Sequence, residues 1–185
     1  GMTNPKFKSI DDFKDVSIHN QYRINVLENK QDPDDFINQV SYSTRDNART
    51  IMQWSNEEYA GFGKTKPWNM INDNYPIINV KDEIEDENSI LHFYRKIIDI
   101  RLNSEYNNVI TFGKYQQLAK EHSQMYLYLR QYRGKKILVI CNLTCERVKM
   151  DELGYKIKKI ILSNYERKEV PFEFASYEAI VLEVE

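Results

Sequence analysis

Near residue 106 the chain changes its hydrophobic period, and no other feature constrains the fold as much. Before that point apolar residues recur every three or four positions behind helix-capping residues. After it, short β-branched and aromatic runs are separated by Gly, Asn and Ser. Helical patterning followed by strand patterning defines an α+β class, with one region over residues 1–105 and a second over residues 106–185. At 185 residues, 41% of them hydrophobic, the chain suits one soluble domain or two small ones.

In the first region Ser17 is expected to cap a helix that places Ile18, Tyr22 and Val26 on one face and ends near Lys30. Asp32-Pro33-Asp34-Asp35 supplies an N-cap, a fixed φ at the first helical position and acidic charge at the positive helix end, which predicts a second helix to about Tyr42. Residues 45–79, with Gly61, Gly63, Pro67 and Pro76, keep neither period for long and read as a structured loop. Asn88 or Ser89 then opens the clearest helix, whose stripe is Ile90, Leu91, Tyr94, Ile97, Ile98 and Leu102. Burying six such side chains is worth on the order of 10 kcal/mol, so the stripe needs something to pack on.

The second region reads as antiparallel β structure. Strands are expected at Val109 to Phe112, Tyr115 to Leu118, Met125 to Tyr132, Lys136 to Leu143, Ile157 to Leu162 and Ala179 to Val184, enough for a sandwich. Arg133-Gly134-Lys135 is short enough to join two of them as a hairpin, with Gly134 taking a positive φ.

Charge excludes several functions. With 26 basic and 28 acidic residues and no long single-sign block, the net charge is -2, and no footprint for nucleic acid or an anionic membrane exists. No apolar run reaches the roughly 18 residues that span a bilayer, so a cytoplasmic protein is expected. Cys141 and Cys145 read as ordinary reduced thiols. His19, His92 and His122 lack a second ligand at metal spacing, and no cofactor or metal is implied.

Residues 44–54 read Thr44-Arg45-Asp46-Asn47-Ala48-Arg49-Thr50-Ile51-Met52-Gln53-Trp54. This run resembles the Arg-Asp-x-x-Arg-Thr-Pro-Met-Gln-Trp signature of the oligo-1,6-glucosidase branch of the α-amylase superfamily. Further landmarks fall in the family order: Gly1-Met2-Thr3-Asn4, Ser9-Ile10-Asp11-Asp12-Phe13, Ala60-Gly61-Phe62, Pro67-Trp68, Asn74-Tyr75, Ile78-Asn79-Val80, Ser89-Ile90-Leu91, Ile100-Arg101 and Ser176-Tyr177-Glu178-Ala179. Ordered matches along the whole chain are far more specific than one short motif. The resemblance implies that residues 1–105 are the eighth βα-loop and closing helix of a (β/α)₈ barrel and that residues 106–185 are an all-β antiparallel C-terminal sandwich. A complete barrel needs about 250 residues, more than this chain has.

Retaining glycosidases work with two carboxyl groups about 5 to 5.5 Å apart. By resemblance the nucleophile, the acid/base and a third Asp come from barrel strands that would precede Gly1, so this chain carries none of the three. Its own acids, Asp11, Asp12, Asp34, Asp35, Glu57, Glu58 and the group from Asp82 to Glu87, read as caps and solvated faces.

Arg45 and Arg49 are the candidate substrate-binding residues, because barrel enzymes build their sites from βα-loops. The resemblance likens Arg49 to the arginine that contacts glucose in the innermost subsite, a task suited to a planar fork of N–H donors. Against this stands a structural role for either arginine, as a salt bridge tying the loop down. Asp46, one residue from Arg45 and three from Arg49, is expected to hold both guanidiniums. Trp54, Phe62 and Trp68 could stack on sugars but are expected to fill core gaps. Two departures mark the motif: Ile51 stands where the family carries Pro, and Ser55 where it carries Asp.

Two functions follow. One is the C-terminal portion of an α-glucosidase acting on a small gluco-oligosaccharide, inert alone. The other is a non-catalytic β-sandwich module that binds carbohydrate or a protein. An exposed apolar face on residues 90–102 would favour the first and would drive self-association. Oligo-1,6-glucosidases, dextran glucosidases, trehalose-6-phosphate hydrolases and sucrose isomerases all resemble one another in these motifs, so the substrate stays open among them.

Overall fold

The computed structural model describes residues 2–150 and 154–185, so Gly1 of the first landmark lies outside the described residues. The chain divides into two compact units, Gly1–His92 and Phe93–Glu185.

In the first unit α1 (Val16–Tyr22) runs on into a π-helical turn, Arg23–Glu28, and Lys30 ends it with a φ of 62°. Its cap is Asp15 rather than Ser17. Asp15 is the last extended residue, and its carboxylate accepts the Ser17 N–H, whereas Ser17 already lies inside the first turn. The second helix forms as its sequence dictates: α2 (Pro33–Ser41) has Pro33 at its start, and the Asp32 carboxylate accepts the Asp34 and Asp35 N–H groups. α2 buries Phe36, Ile37 and Val40 against Ile18, Val26, Phe7 and Phe13. Phe7 and Phe13 stack with centroids 4.2 Å apart, and Tyr22 meets Phe36 edge-on. A short α3 (Val80–Glu85), capped by Asn79, follows the long loop.

α4 (Ile90–Asn103) begins at the end of this unit. Ser89 caps it by accepting the His92 N–H, and the Glu83 carboxylate accepts the Leu91 N–H at 2.9 Å. The expected stripe is present but left in solvent: Ile90, Tyr94, Ile97, Ile98 and Leu102 are between 40% and 61% exposed.

In the second unit a five-stranded antiparallel sheet has the order β1-β2-β3-β7-β5, with β1 Lys114–Leu118, β2 Met125–Tyr132, β3 Lys135–Asn142, β5 Ile157–Ser163 and β7 Ala179–Val184. A second sheet pairs β4 (Val148–Lys149) with β6 (Glu173–Phe174). Both of these strands are too short to leave a periodic signal. Alternate residues of β2, Met125, Leu127 and Leu129, point inward with Leu138, Ile140, Ile180 and Leu182, and Val148 and Phe174 of the second sheet close that core. Arg133 and Gly134 form the hairpin between β2 and β3 with φ of 46° and 84°, the pair of positive values that a right-twisted two-residue hairpin requires.

The expected strand at Val109 to Phe112 is instead helix α5 (Asn107–Phe112). Four apolar residues cannot by themselves distinguish strand from helix. Arg130 decides it by donating to the Val109 and Gly113 carbonyls at the C-terminus of α5, while Val109 buries against Tyr106 and Ile137 on the outer sheet face. The Tyr106 hydroxyl donates to Glu183 at 2.8 Å, and burial, reinforced by that carboxylate, holds its phenol pKa well above the ordinary value.

Candidate functional site

The loop of residues 44–54 belongs to the first unit and is tied down from within. Thr44 caps a 3₁₀ turn, Arg45–Ala48, by accepting the Asp46 N–H. Asp46 is fully buried. Its Oδ2 accepts the Lys14 and Asp15 N–H groups at 2.7 and 2.9 Å, and its Oδ1 accepts Arg49 Nη1 at 3.4 Å. The expectation that Asp46 holds both arginines therefore holds for Arg49 alone. Arg45 turns instead to Asp15, donating Nε to Oδ2 at 2.8 Å and Nη2 to Oδ1 at 3.1 Å. Hydrogen bonds from Arg45 and from the Ser17 N–H lower the Asp15 pKa below its ordinary value, and Asp15 in turn raises that of Arg45.

Arg49 is held differently. Its backbone carbonyl accepts Asn69 Nδ2 at 2.8 Å, while its side chain is 40% exposed and meets only Asp46 Oδ1 among the described residues. The Nε and remaining Nη donors make no hydrogen bond among the described residues, so the guanidinium is anchored at one end and unpaired at the other. Such a group can donate in pairs to vicinal hydroxyls or to a carboxylate.

Gln53 organises the far end of the loop. Only 1% exposed, it donates to Asn74 Oδ1 and the Ile78 carbonyl. The Gln53 and Trp54 carbonyls accept the Val80 and Lys81 N–H groups. Beyond it, Tyr59, Ala60 and Gly61 all take positive φ, and a Cβ on Gly61 would stand 2.3 Å from Ser55 Oγ. Trp54, Phe62 and Trp68, expected to fill core gaps where the loop packs against a barrel, are 49%, 51% and 68% exposed in this chain.

Sequence spacing gave no sign of Asp15, Asn69 or Gln53 as supports. Asp15 lies thirty residues from Arg45, and only three-dimensional proximity joins them. Among the described residues no three His, Cys, Asp or Glu side chains gather so as to hold a metal ion.

Comparison with known proteins accounts for this arrangement. The family description "Alpha amylase, catalytic domain" matches residues 1–113. An oligo-1,6-glucosidase of Bacillus cereus is 34% identical over 190 residues, covering 100% of this chain and 34% of its own length. The trehalose-6-phosphate hydrolase of Escherichia coli K12 is 37% identical over 146 residues, covering 79% of this chain and 26% of its own. Among solved structures, the trehalose-6-phosphate hydrolase of Bacillus licheniformis superposes with a TM-score of 0.86 at 34% identity, and the trehalulose synthase MutB of Pseudomonas mesoacidophila with 0.89 at 28%. The chain spans about a third of the length of these relatives. The likeness to these structures takes in both the helical region and the antiparallel sheet that follows it, covering 99% and 100% of the chain. On the family match and this end-to-end likeness together, the chain belongs to the α-amylase family of glycoside hydrolases.

Proposed function

We propose that this chain is the C-terminal portion of an α-glucosidase that acts on short α-1,6-linked gluco-oligosaccharides. Residues 1–105 complete its barrel, and residues 106–185 form its C-terminal sandwich domain. Arg49 binds the sugar, and Arg45 serves the same site by fixing the loop through Asp15. The carrying observation is the half-free guanidinium of Arg49, anchored by a buried carboxylate and open to donate. The reaction's own carboxylate pair lies in the barrel repeats that this chain lacks, so the chain alone is inert. In isolation it self-associates through the exposed face of α4. A cytoplasmic location belongs to the same reading; among the described residues no helix is long and apolar enough to cross a membrane.

The exposed Trp54, Phe62 and Trp68 favour a second reading, a non-catalytic module that binds carbohydrate through this loop. Titrating the chain with millimolar isomaltose while following arginine and tryptophan side-chain resonances separates the two. The glucosidase reading expects the Arg49 Nε signal to move, and Arg49→Ala to abolish the response. Movement confined to the indoles would transfer the site to the aromatic loop. No response at either would leave the loop without a sugar-binding role.

A further inference from the structure

Three tyrosines share one surface on the outer side of the five-stranded sheet. Tyr126 and Tyr128 alternate along β2 with the buried Met125, Leu127 and Leu129, so both point away from the sandwich core. Tyr115 of β1 pairs with Arg130 and therefore lies on the same side. The Tyr128 ring is the middle of the three, its centroid 5.5 Å from that of Tyr115 and 5.6 Å from that of Tyr126. The Tyr115 and Tyr126 hydroxyls close the cluster with a hydrogen bond of 2.9 Å. Tyr115 is 45% exposed, and Tyr126 and Tyr128 are partly so.

Within the hydroxyl pair one phenol donates to the other, which leaves one O–H proton and lone pairs on both oxygens to meet a ligand. A sugar hydroxyl is itself donor and acceptor and can answer both. The bond to Tyr126 raises the Tyr115 pKa, and burial raises that of Tyr128, so these two phenols are uncharged at neutral pH. The strand register places Gln117 and Val139 on either side of Tyr128, and Cys141 beside Tyr126. None of the three carries charge, burial having raised the pKa of the Cys141 thiol. Arg130, the charged neighbour of Tyr115 on this side, already donates to the Val109 and Gly113 carbonyls.

We propose that Tyr115, Tyr126 and Tyr128 form a binding platform for a neutral oligosaccharide. Their rings are rigid and amphipathic, so the C–H face of a pyranose stacks on them at small entropic cost, while the hydroxyl pair and the Gln117 amide take up its hydroxyls. An acidic sugar or a nucleic acid requires a cation free to pair, and the guanidinium of Arg130 is already engaged. A wholly apolar ligand would strip water from the paired hydroxyls and from Gln117 without replacing its hydrogen bonds. The platform belongs to the second unit and rests on neither Arg45 nor Arg49, which belong to the first.

The test is titration of the full chain with millimolar isomaltotriose while the tyrosine ring resonances are followed by NMR. The expected result is saturable movement of the Tyr115, Tyr126 and Tyr128 signals that survives Arg49→Ala. Tyr115→Ala should weaken binding about fivefold or more, as loss of a contacting ring does. Tyr126→Phe keeps the ring and removes the hydroxyl pair, and should weaken binding about threefold or more; it decides the matter alone if Tyr115→Ala disturbs the edge strand. Cyclohexanol, with an apolar face and one hydroxyl, should move the signals far less than the sugar. An equal response to cyclohexanol would reduce the surface to an apolar patch and overturn the proposal. Tyrosine signals that stay still, that move only while Arg49 is present, or that respond equally in Tyr126→Phe would overturn it as well.

Discussion

Arg45 grips both oxygens of Asp15 across thirty residues of sequence, and Asp15 is also the residue that caps α1. One carboxylate therefore starts a helix and anchors the loop that carries Arg49. Asp46 answers from the other side, accepting the Lys14 and Asp15 N–H groups from inside that loop. The two acids cross-link the same two segments in opposite directions.

Asp15 separates its two roles by substitution. Asp15→Ala removes the cap and should cost about 1 kcal/mol in urea denaturation. Asp15→Asn keeps a capping oxygen and removes the charge. Because the folded pKa lies below the ordinary 3.8, the charge contributes stability above that value and loses it as pH falls through the folded pKa. Wild type should thus lose stability more steeply than Asp15→Asn below about pH 4. Equal slopes would show that the Arg45 pairing contributes nothing.

A second buried acid makes a parallel test in the other unit. Glu178 is fully buried and accepts Arg167 Nε and Nη2 at 2.6 and 2.8 Å and the Ala175 N–H at 2.7 Å. Burial pushes its carboxyl up, but Arg167 and the Ala175 N–H together outweigh that and bring it below 4.5. Its contribution is therefore present above that value and fades as pH falls through the lower folded pKa. Arg167→Met strands the carboxylate and should lower the melting temperature more at pH 7 than at pH 4, where protonation relieves it. An equal loss at both pH values would mean that the pair is only packing.

Phe174 lies on a two-residue strand yet is fully buried in the sandwich core. Phe174→Ala should cost about 3 to 5 kcal/mol, measured by the shift of the urea midpoint at constant slope. A loss well under 1 kcal/mol would show that the small sheet does not close the core.

How much of this was legible in the sequence depended on the range of the forces involved. α2 could be read because Asp32, Pro33 and the first-turn acids act on adjacent backbone, and β2 and β3 because alternation and Gly134 act locally. Val109 to Phe112 misled because Arg130, far along the chain, decides its state. The loop motif announced Arg45 and Arg49, but spacing assigned the right partner only to Arg49. Asp46, three residues from Arg49, holds it, while Asp15, thirty residues from Arg45, holds the other.

The hairpin offers a stabilising change. Arg133 sits at a φ of 46°, where an ordinary side chain is strained. Arg133→Asn should raise stability by about 0.5 kcal/mol or more, since Asn-Gly suits this turn. Thermal denaturation decides it, and a lower melting temperature would mean that the Arg133 stacking on Tyr132 outweighs the strain.

The central claim is that this chain is one third of a glycosidase. Its most direct test is the mass of the natural product, found by blotting an extract of the source cells with an antibody to this polypeptide. The account expects a band about three times heavier than 22.1 kDa, matching the share of its relatives that the chain covers. A band at 22.1 kDa itself would contradict it.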